Sequence, residues 1–338
     1  MKRICLKVLA RGAILALLVS CAAQPTKSSA EVSRQAHRCG QVDDTQLIAP
    51  KGTAACAAKA LGGKGNKASA DATGDGSNAR AVAGSLDLYD HGKATSYLPS
   101  DGNTSLAQAT NGAGAQARSG VNDRGTKGVG GNTAVARADQ PHAYADASAA
   151  NGNRNNATSL AQGCTGKPGN ACAFSAAGNG NDNTANAASD GKDSTAQAGA
   201  LDGDHNAAFV TGTTGGHAAA SAQGGNSNTA NSTATGSNAF ATTQATGGGS
   251  FALSRADGGD STANAVARNA GTARALADDG ATATASATGS GFTAYAYASG
   301  AGTSATATHD ADTDTGSCTG PGIAFAITNG AFQCVQGF

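Results

Sequence analysis

Tryptophan is absent from this 338-residue chain, methionine occurs once, and only eight Phe and five Tyr supply aromatic surface. That scarcity excludes a conventional core of interlocking large side chains, which a chain of this length would otherwise distribute over two ordinary domains. Net charge is also missing, with 23 basic against 23 acidic residues. A balanced chain lacks the basic footprint of a nucleic-acid binder, and it lacks the strong net charge of many disordered chains. No C-x-x-C pair occurs, which removes the usual zinc spacing. No G-x-S-x-G elbow in a strand–turn–helix setting is visible. The reading is therefore of a non-enzymatic protein that uses no cofactor. What is present in quantity is alanine and glycine, the latter 49 times. Such a composition is otherwise that of a disordered spacer, because small side chains bury too little surface to offset ordering entropy.

The N-terminus reads as an export signal. Lys2, Arg3, Lys7 and Arg11 precede a short apolar stretch, Gly12 to Ser20, the charged and apolar regions of a secretory signal. The stretch is shorter than the ~20 apolar residues of a membrane-spanning helix. It ends in Leu18-Val19-Ser20-Cys21, which resembles the bacterial lipobox. That resemblance implies a lipid on Cys21 and attachment to the cell membrane, with residues 21–30 as a flexible tether. Ordinary cleavage after Ala22 or Ala23 is the alternative, giving a secreted chain. Loss of residues 1–20 removes four basic residues and leaves 19 against 23 acidic ones, a net of −4.

Export explains the cysteines, since disulfides persist in oxidising compartments. Beyond Cys5 and Cys21, six remain in three local pairs: Cys39 with Cys56, Cys164 with Cys172, and Cys318 with Cys334. Six cysteines allow fifteen connectivities, and the long Cys-free stretches between pairs favour the local scheme.

The second half carries a repeat. The first alanine of each A-x-A falls at 185, 196, 207, 218, 230, 239, 252, 263, 273, 283, 294 and 305, and a glycine precedes almost every unit. Alternation at period two means strand, because alternate side chains share a face. Alanine's intrinsic helix preference fails here, since glycine interrupts every turn or two. The expected fold is all-β: a parallel β-solenoid or β-roll of about eleven-residue Ala/Gly-rich repeats, with disulfide-bonded terminal caps. One strand and one glycine turn per coil makes twelve rungs and a rod of roughly 55 Å at ~4.8 Å per rung. Alanine would point inward, and Phe209, Ser232 and Ser254 fall in the same column. A Thr-rich column containing Asn206 and His217 would point outward.

The organisation expected is a signal peptide at 1–20, tether 21–30, N-terminal disulfide cap 31–60, irregular repeats with insertions 61–179, regular solenoid 180–308 and C-terminal disulfide cap 309–338. GIAFAITNGAFQCVQGF, from Gly322, reads as a hairpin turning at Asn329-Gly330. Asp310, Asp312 and Asp314 resemble the start of a calcium loop, but glycine and the terminal acid are out of place for an EF-hand, and the bland reading is a solvated acidic turn.

Units such as GTARALADDGATATASATGSGFTAYAYASG resemble the Ala/Gly-rich head repeats of trimeric autotransporter adhesins. The likeness covers roughly residues 180–308 and implies a β-roll that self-associates and binds a host or matrix surface. Those heads favour a longer repeat than this one. The expected function is a structural or adhesive solenoid of the bacterial envelope. Its outward contact candidates are Phe240, Phe251, Phe292, Tyr295 and Tyr297, serving a homo-oligomer or a surface ligand. The alternatives are a disordered envelope spacer and an ice-binding solenoid. The second outward column, read unit by unit, mixes Asn, Gln, Phe, Leu, Arg, Thr and Tyr, which speaks against a regular ice lattice.

Overall fold

A backbone that alternates alanine with Thr, Ser or Asn can bury one face under its neighbours and expose the other, and the chain does this throughout. A computed structural model describes the protein between Ala36 and Gln336. Outside the described residues lie 1–35, 42–46, 49–54, 61–66, 73–77, 84–102, 111–113, 120–130, 140–143, 151–153, 164–171, 179–181, 192–193, 202–204, 225–226, 290, 311–314, 329–331 and 337–338. The described residues from His37 onward form one compact unit, which holds the stack of strands.

Among the described residues, twenty-six strands run from β1 (Ala36–Gln41) to β26 (Phe332–Gln336) in two thirteen-stranded sheets. Sheet A takes the odd-numbered strands up to β23 (Ser304–Thr308) and closes with β24 (Thr315–Thr319). Sheet B takes the even-numbered strands up to β22 (Thr293–Ala298) and closes with β25 (Ala324–Thr328) and β26. Below the closing strands the pairing is parallel, as between Thr262 and Thr282 in sheet A or Phe251 and Thr272 in sheet B. The protein is a β-solenoid.

Each eleven-residue repeat is half a coil. Consecutive repeats lie in opposite sheets, and each strand pairs with the strand two repeats away. The expectation of one strand per coil is thereby corrected: the twelve units build six coils, roughly 29 Å of stack at ~4.8 Å each. The inward faces of the two sheets are almost wholly alanine, with Ala265, Ala285, Ala275 and Ala296 at 0% exposure. The sheets lie so close that single hydroxyls cross between them. Ser254 Oγ on β18 (Phe251–Asp257) donates to the Ala241 carbonyl of β17 (Phe240–Thr246) at 2.7 Å, and Thr243 Oγ1 donates to the Leu253 carbonyl at 2.8 Å. Ser232 joins both hydroxyls in a buried cluster. Alanine dominates because nothing larger than Ser, Thr or an occasional Val fits there.

The register corrects three column assignments. Phe209 is an outward residue, 40% exposed, and Val210 takes the inward place. Ala208 and Ala241, rather than Ala207 and Ala239, stand level with the other leading alanines. Asn206 is buried, not outward. It belongs to a ladder of Asn103, Asn132, Asn155, Asn183, Asn206 and Asn228, each placed just before a sheet B strand. Each backbone carbonyl accepts from the next rung, as from Thr229 to Asn206 at 2.9 Å and Phe251 to Asn228 at 2.9 Å. The side chains also stack, with Asn183 Nδ2 donating to Asn155 Oδ1 at 3.3 Å. A stacked amide at a corner serves turn and ladder together.

The C-terminal hairpin forms as expected: β25 pairs antiparallel with β22, and β26 with β25. In sheet A, β24 folds back antiparallel on β23. Cys318 on β24 and Cys334 on β26 are disulfide-bonded, tying the last strand of one sheet to the last strand of the other. Cys172 is disulfide-bonded too, while Cys164 lies outside the described residues. Cys39 and Cys56 fall on β1 and β3 (Ala55–Ala60), neighbours in sheet A, and only their backbone is described. A crosslink over 16 residues contributes about 3 kcal/mol by restricting the unfolded chain. Cys318→Ser with Cys334→Ser will therefore loosen residues 315–336 before the rest of the stack. Hydrogen exchange reads this directly, and unchanged protection of that segment would show that the cap holds without its crosslink.

Candidate functional surface

Because alternate repeats face opposite ways, the outward columns must be read sheet by sheet. On sheet A, β19 (Thr262–Arg268), β21 (Thr282–Thr288), β23 and β24 lie side by side. One outward column reads Thr262, Thr282, Ser304, Thr319 and the next reads Asn264, Thr284, Thr306, Ser317. A third reads Val266, Ser286, Thr308, Thr315. The face is a hydroxyl lattice with rungs ~4.8 Å apart and columns ~7 Å apart.

Sheet B is different. Over β18, β20 (Thr272–Ala277), β22, β25 and β26, the central outward columns read Leu253, Arg274, Tyr295, Ile327 and Arg255, Leu276, Tyr297, Phe325, Val335. The Tyr297 and Phe325 rings are 5.2 Å apart, and Tyr295 and Phe325 are 6.2 Å apart, edge to face. The Arg274 guanidinium lies over the Phe251 ring at 5.8 Å, a favourable cation–π placement. Arg255 reaches Asp257 at 3.8 Å. Ile327 and Val335 are each 39% exposed. Burial, with Tyr297 beside it, pushes the Tyr295 hydroxyl up against the pull of Arg274, so it stays protonated and able to donate at neutral pH.

Of the five aromatic candidates, the structure gathers Phe251, Tyr295 and Tyr297 on sheet B. Phe240 stands on sheet A against His217, ring centroids 5.8 Å apart. Phe292 sits in the turn before β22 and packs on His309 at 4.5 Å. Leu253, Leu276, Phe325 and Ile327 were not among the sequence's contact candidates; the first two show their signal in every second repeat, and the last two in the alternating large apolar residues of the C-terminal hairpin. Asp310 is described, but Asp312 and Asp314 lie outside the described residues. Among the described residues no group of three metal-ligating side chains gathers. Cys21 also lies outside them.

The N-terminal part of sheet A carries a desolvated carboxyl. Asp146 points outward from β9 (Tyr144–Ala150), and desolvation pushes its carboxyl up to about 6 while Arg118 and Arg80 pull it down. The folded state thus binds this proton more tightly than the unfolded chain. Stability from it is present at pH 4 and is lost as pH rises through about 6. Two pH units correspond to at most about 3 kcal/mol. Asp146→Asn will flatten the fall in urea midpoint between pH 4 and 7, and an unchanged slope would count against a desolvated carboxyl. Asp190 shows the opposite case: Thr213 and Thr214 on the next rung donate to it at 2.6 and 3.0 Å and hold its carboxyl below the usual range.

No protein-family model matches the chain, and neither a curated protein nor a solved structure is significantly similar to it.

Proposed function

We propose that this protein is an exported, non-enzymatic component of a bacterial envelope, held by a lipid on Cys21 and displaying an adhesive solenoid. One observation carries the adhesive part: Tyr295, Tyr297, Phe325 and Ile327 stand together on the outer face of sheet B. A soluble face with no binding duty would dilute such residues with polar ones, as sheet A does. The lipobox resemblance and the crosslinked cap support export. The test is surface retention of cells expressing the full chain on a protein-coated or glycan-coated support. Tyr295→Ser with Tyr297→Ser and Phe325→Ser should abolish retention, and Cys21→Ala should release the protein from the membrane fraction. Retention that survives the triple substitution removes the adhesive reading; an unchanged membrane fraction removes the lipid anchor.

A second reading rests on sheet A. Separated from sheet B, its three columns are Thr or Ser throughout on the last three rungs, β21, β23 and β24, the arrangement that unit-by-unit reading hides, and an ordered hydroxyl-methyl lattice suits ice. Thermal hysteresis lost in Thr284→Tyr would favour this reading, and its absence in the parent chain would remove it.

A further inference from the structure

We infer that the sheet B face binds an anionic polysaccharide laid along the stack, its sugar rings on Tyr295, Tyr297 and Phe325 and its acidic groups at Arg274. The inference rests on the adhesive reading and names the ligand class of that same face.

Two features select this occupant. The first is area. Five strands at ~4.8 Å and two columns ~7 Å apart give a strip of roughly 24 by 14 Å. Its roughly 340 Å² is less than half of the ~800 Å² that each partner of a stable protein complex buries. A narrow linear polymer needs no more than such a strip. The second is charge. Arg255 has Asp257 at 3.8 Å, whereas Arg274 lies against the Phe251 ring at 5.8 Å. The guanidinium is thus oriented by a ring on one side while its donors remain available to an acid group. A cation set among aromatic rings, on a chain whose mature form carries a net of −4, is a local reversal of sign. Aromatic faces take the C–H faces of sugars, and the Tyr295 and Tyr297 hydroxyls donate to ring substituents. Neutral glycans would leave Arg274 unused, and a flat apolar partner would leave it unpaired.

The experiment is titration calorimetry of the oxidised mature chain with polygalacturonate and, separately, with neutral dextran, beside light scattering. Polygalacturonate should bind and dextran should not. Arg274→Gln should weaken binding on the order of tenfold or more, the loss of one charge-assisted contact, and should reduce its salt dependence. Tyr295→Ala with Tyr297→Ala should weaken it similarly, while Thr284→Ala on sheet A should leave it unchanged. Outward positions are chosen so that the circular dichroism stays that of the parent. Equal binding of dextran, or indifference to Arg274→Gln, overturns the anionic assignment. A dimer that the same substitutions dissolve assigns the face to a second copy and overturns it as well. If neither polymer binds yet the strip variants still lose surface retention, this inference fails and the adhesive reading stands. Retention that persists without the strip sinks the adhesive reading itself.

Discussion

Replacing Ala285 by leucine will abolish cooperative folding of the C-terminal coils. Ala285 lies at 0% exposure in the middle of β21, level with Ala265 and Ala307 on adjacent rungs. The opposing sheet is within reach of a single side-chain hydroxyl, as the Ser254 and Thr243 hydrogen bonds to opposite-sheet carbonyls show. Three extra carbons therefore have nowhere to go. Overpacking an ordinary core costs about 1–3 kcal/mol because side chains shift rotamer to make room. Alanine has no rotamer to shift, so here the backbones must part and break ladder bonds on both sides. The loss should exceed about 3 kcal/mol, above the usual overpacking range. Ala285→Ser should remain folded, because Ser232, Thr243 and Ser254 occupy equivalent inward places. Thr284→Leu, one residue away and outward, should change the melting temperature little. Parent-like unfolding of Ala285→Leu would mean that the sheets are not closely apposed.

That narrowness was legible in the sequence, and the coil was not. Alanine at alternate positions with glycine between units implies strands around a methyl core, because the other recurring inward residues, Ser and Thr, are small too. The number of strands per coil is invisible for a physical reason: both sheets ask the same of their inward faces. Ala196 and Ala208, in opposite sheets, meet equivalent surroundings, so the repeat has an apparent period of eleven residues when the coil holds two. The outward residues and the corner Asn ladder are what differ between the sheets. Reading them unit by unit mixes Thr284 of sheet A with Tyr295 of sheet B and disguises both faces. The buried Asn ladder escaped for the same reason, since it recurs on the sheet B side alone and Asn is ordinarily a surface residue. The Cys318–Cys334 bond and the antiparallel β25–β26 pair were readable because both are local: sequence proximity specifies them without knowledge of the coil.

The corners make the second large prediction. Gly236→Ala will destabilise the stack by more than about 3 kcal/mol, beyond the 1–3 kcal/mol that an unfavourable backbone region alone costs. Gly236 adopts φ +123°, and a Cβ built on it would lie 1.8 Å from the Gly215 nitrogen one rung below. Gly258, on the following rung, would place its Cβ 1.6 Å from the Gly236 carbonyl oxygen. These corners rest directly on one another through backbone, and the Gly215 N–H, the group the new Cβ would meet, donates to the Thr235 carbonyl at 3.1 Å across that lower junction. A methyl group must therefore either lift one coil from the next or forfeit that bond. Gly302→Ala separates the two causes, since its φ is +81° but its Cβ would meet nothing within 4 Å. That control should show only the backbone penalty, about 1–2 kcal/mol. Melting temperatures of the two variants decide the matter. A drop that is equal in both would mean the corners are spaced apart and the glycines serve conformation alone. A much larger drop at Gly236 would show that coil-on-coil contact at the corners sets the rise of the solenoid, which in turn keeps the outward columns of both faces aligned.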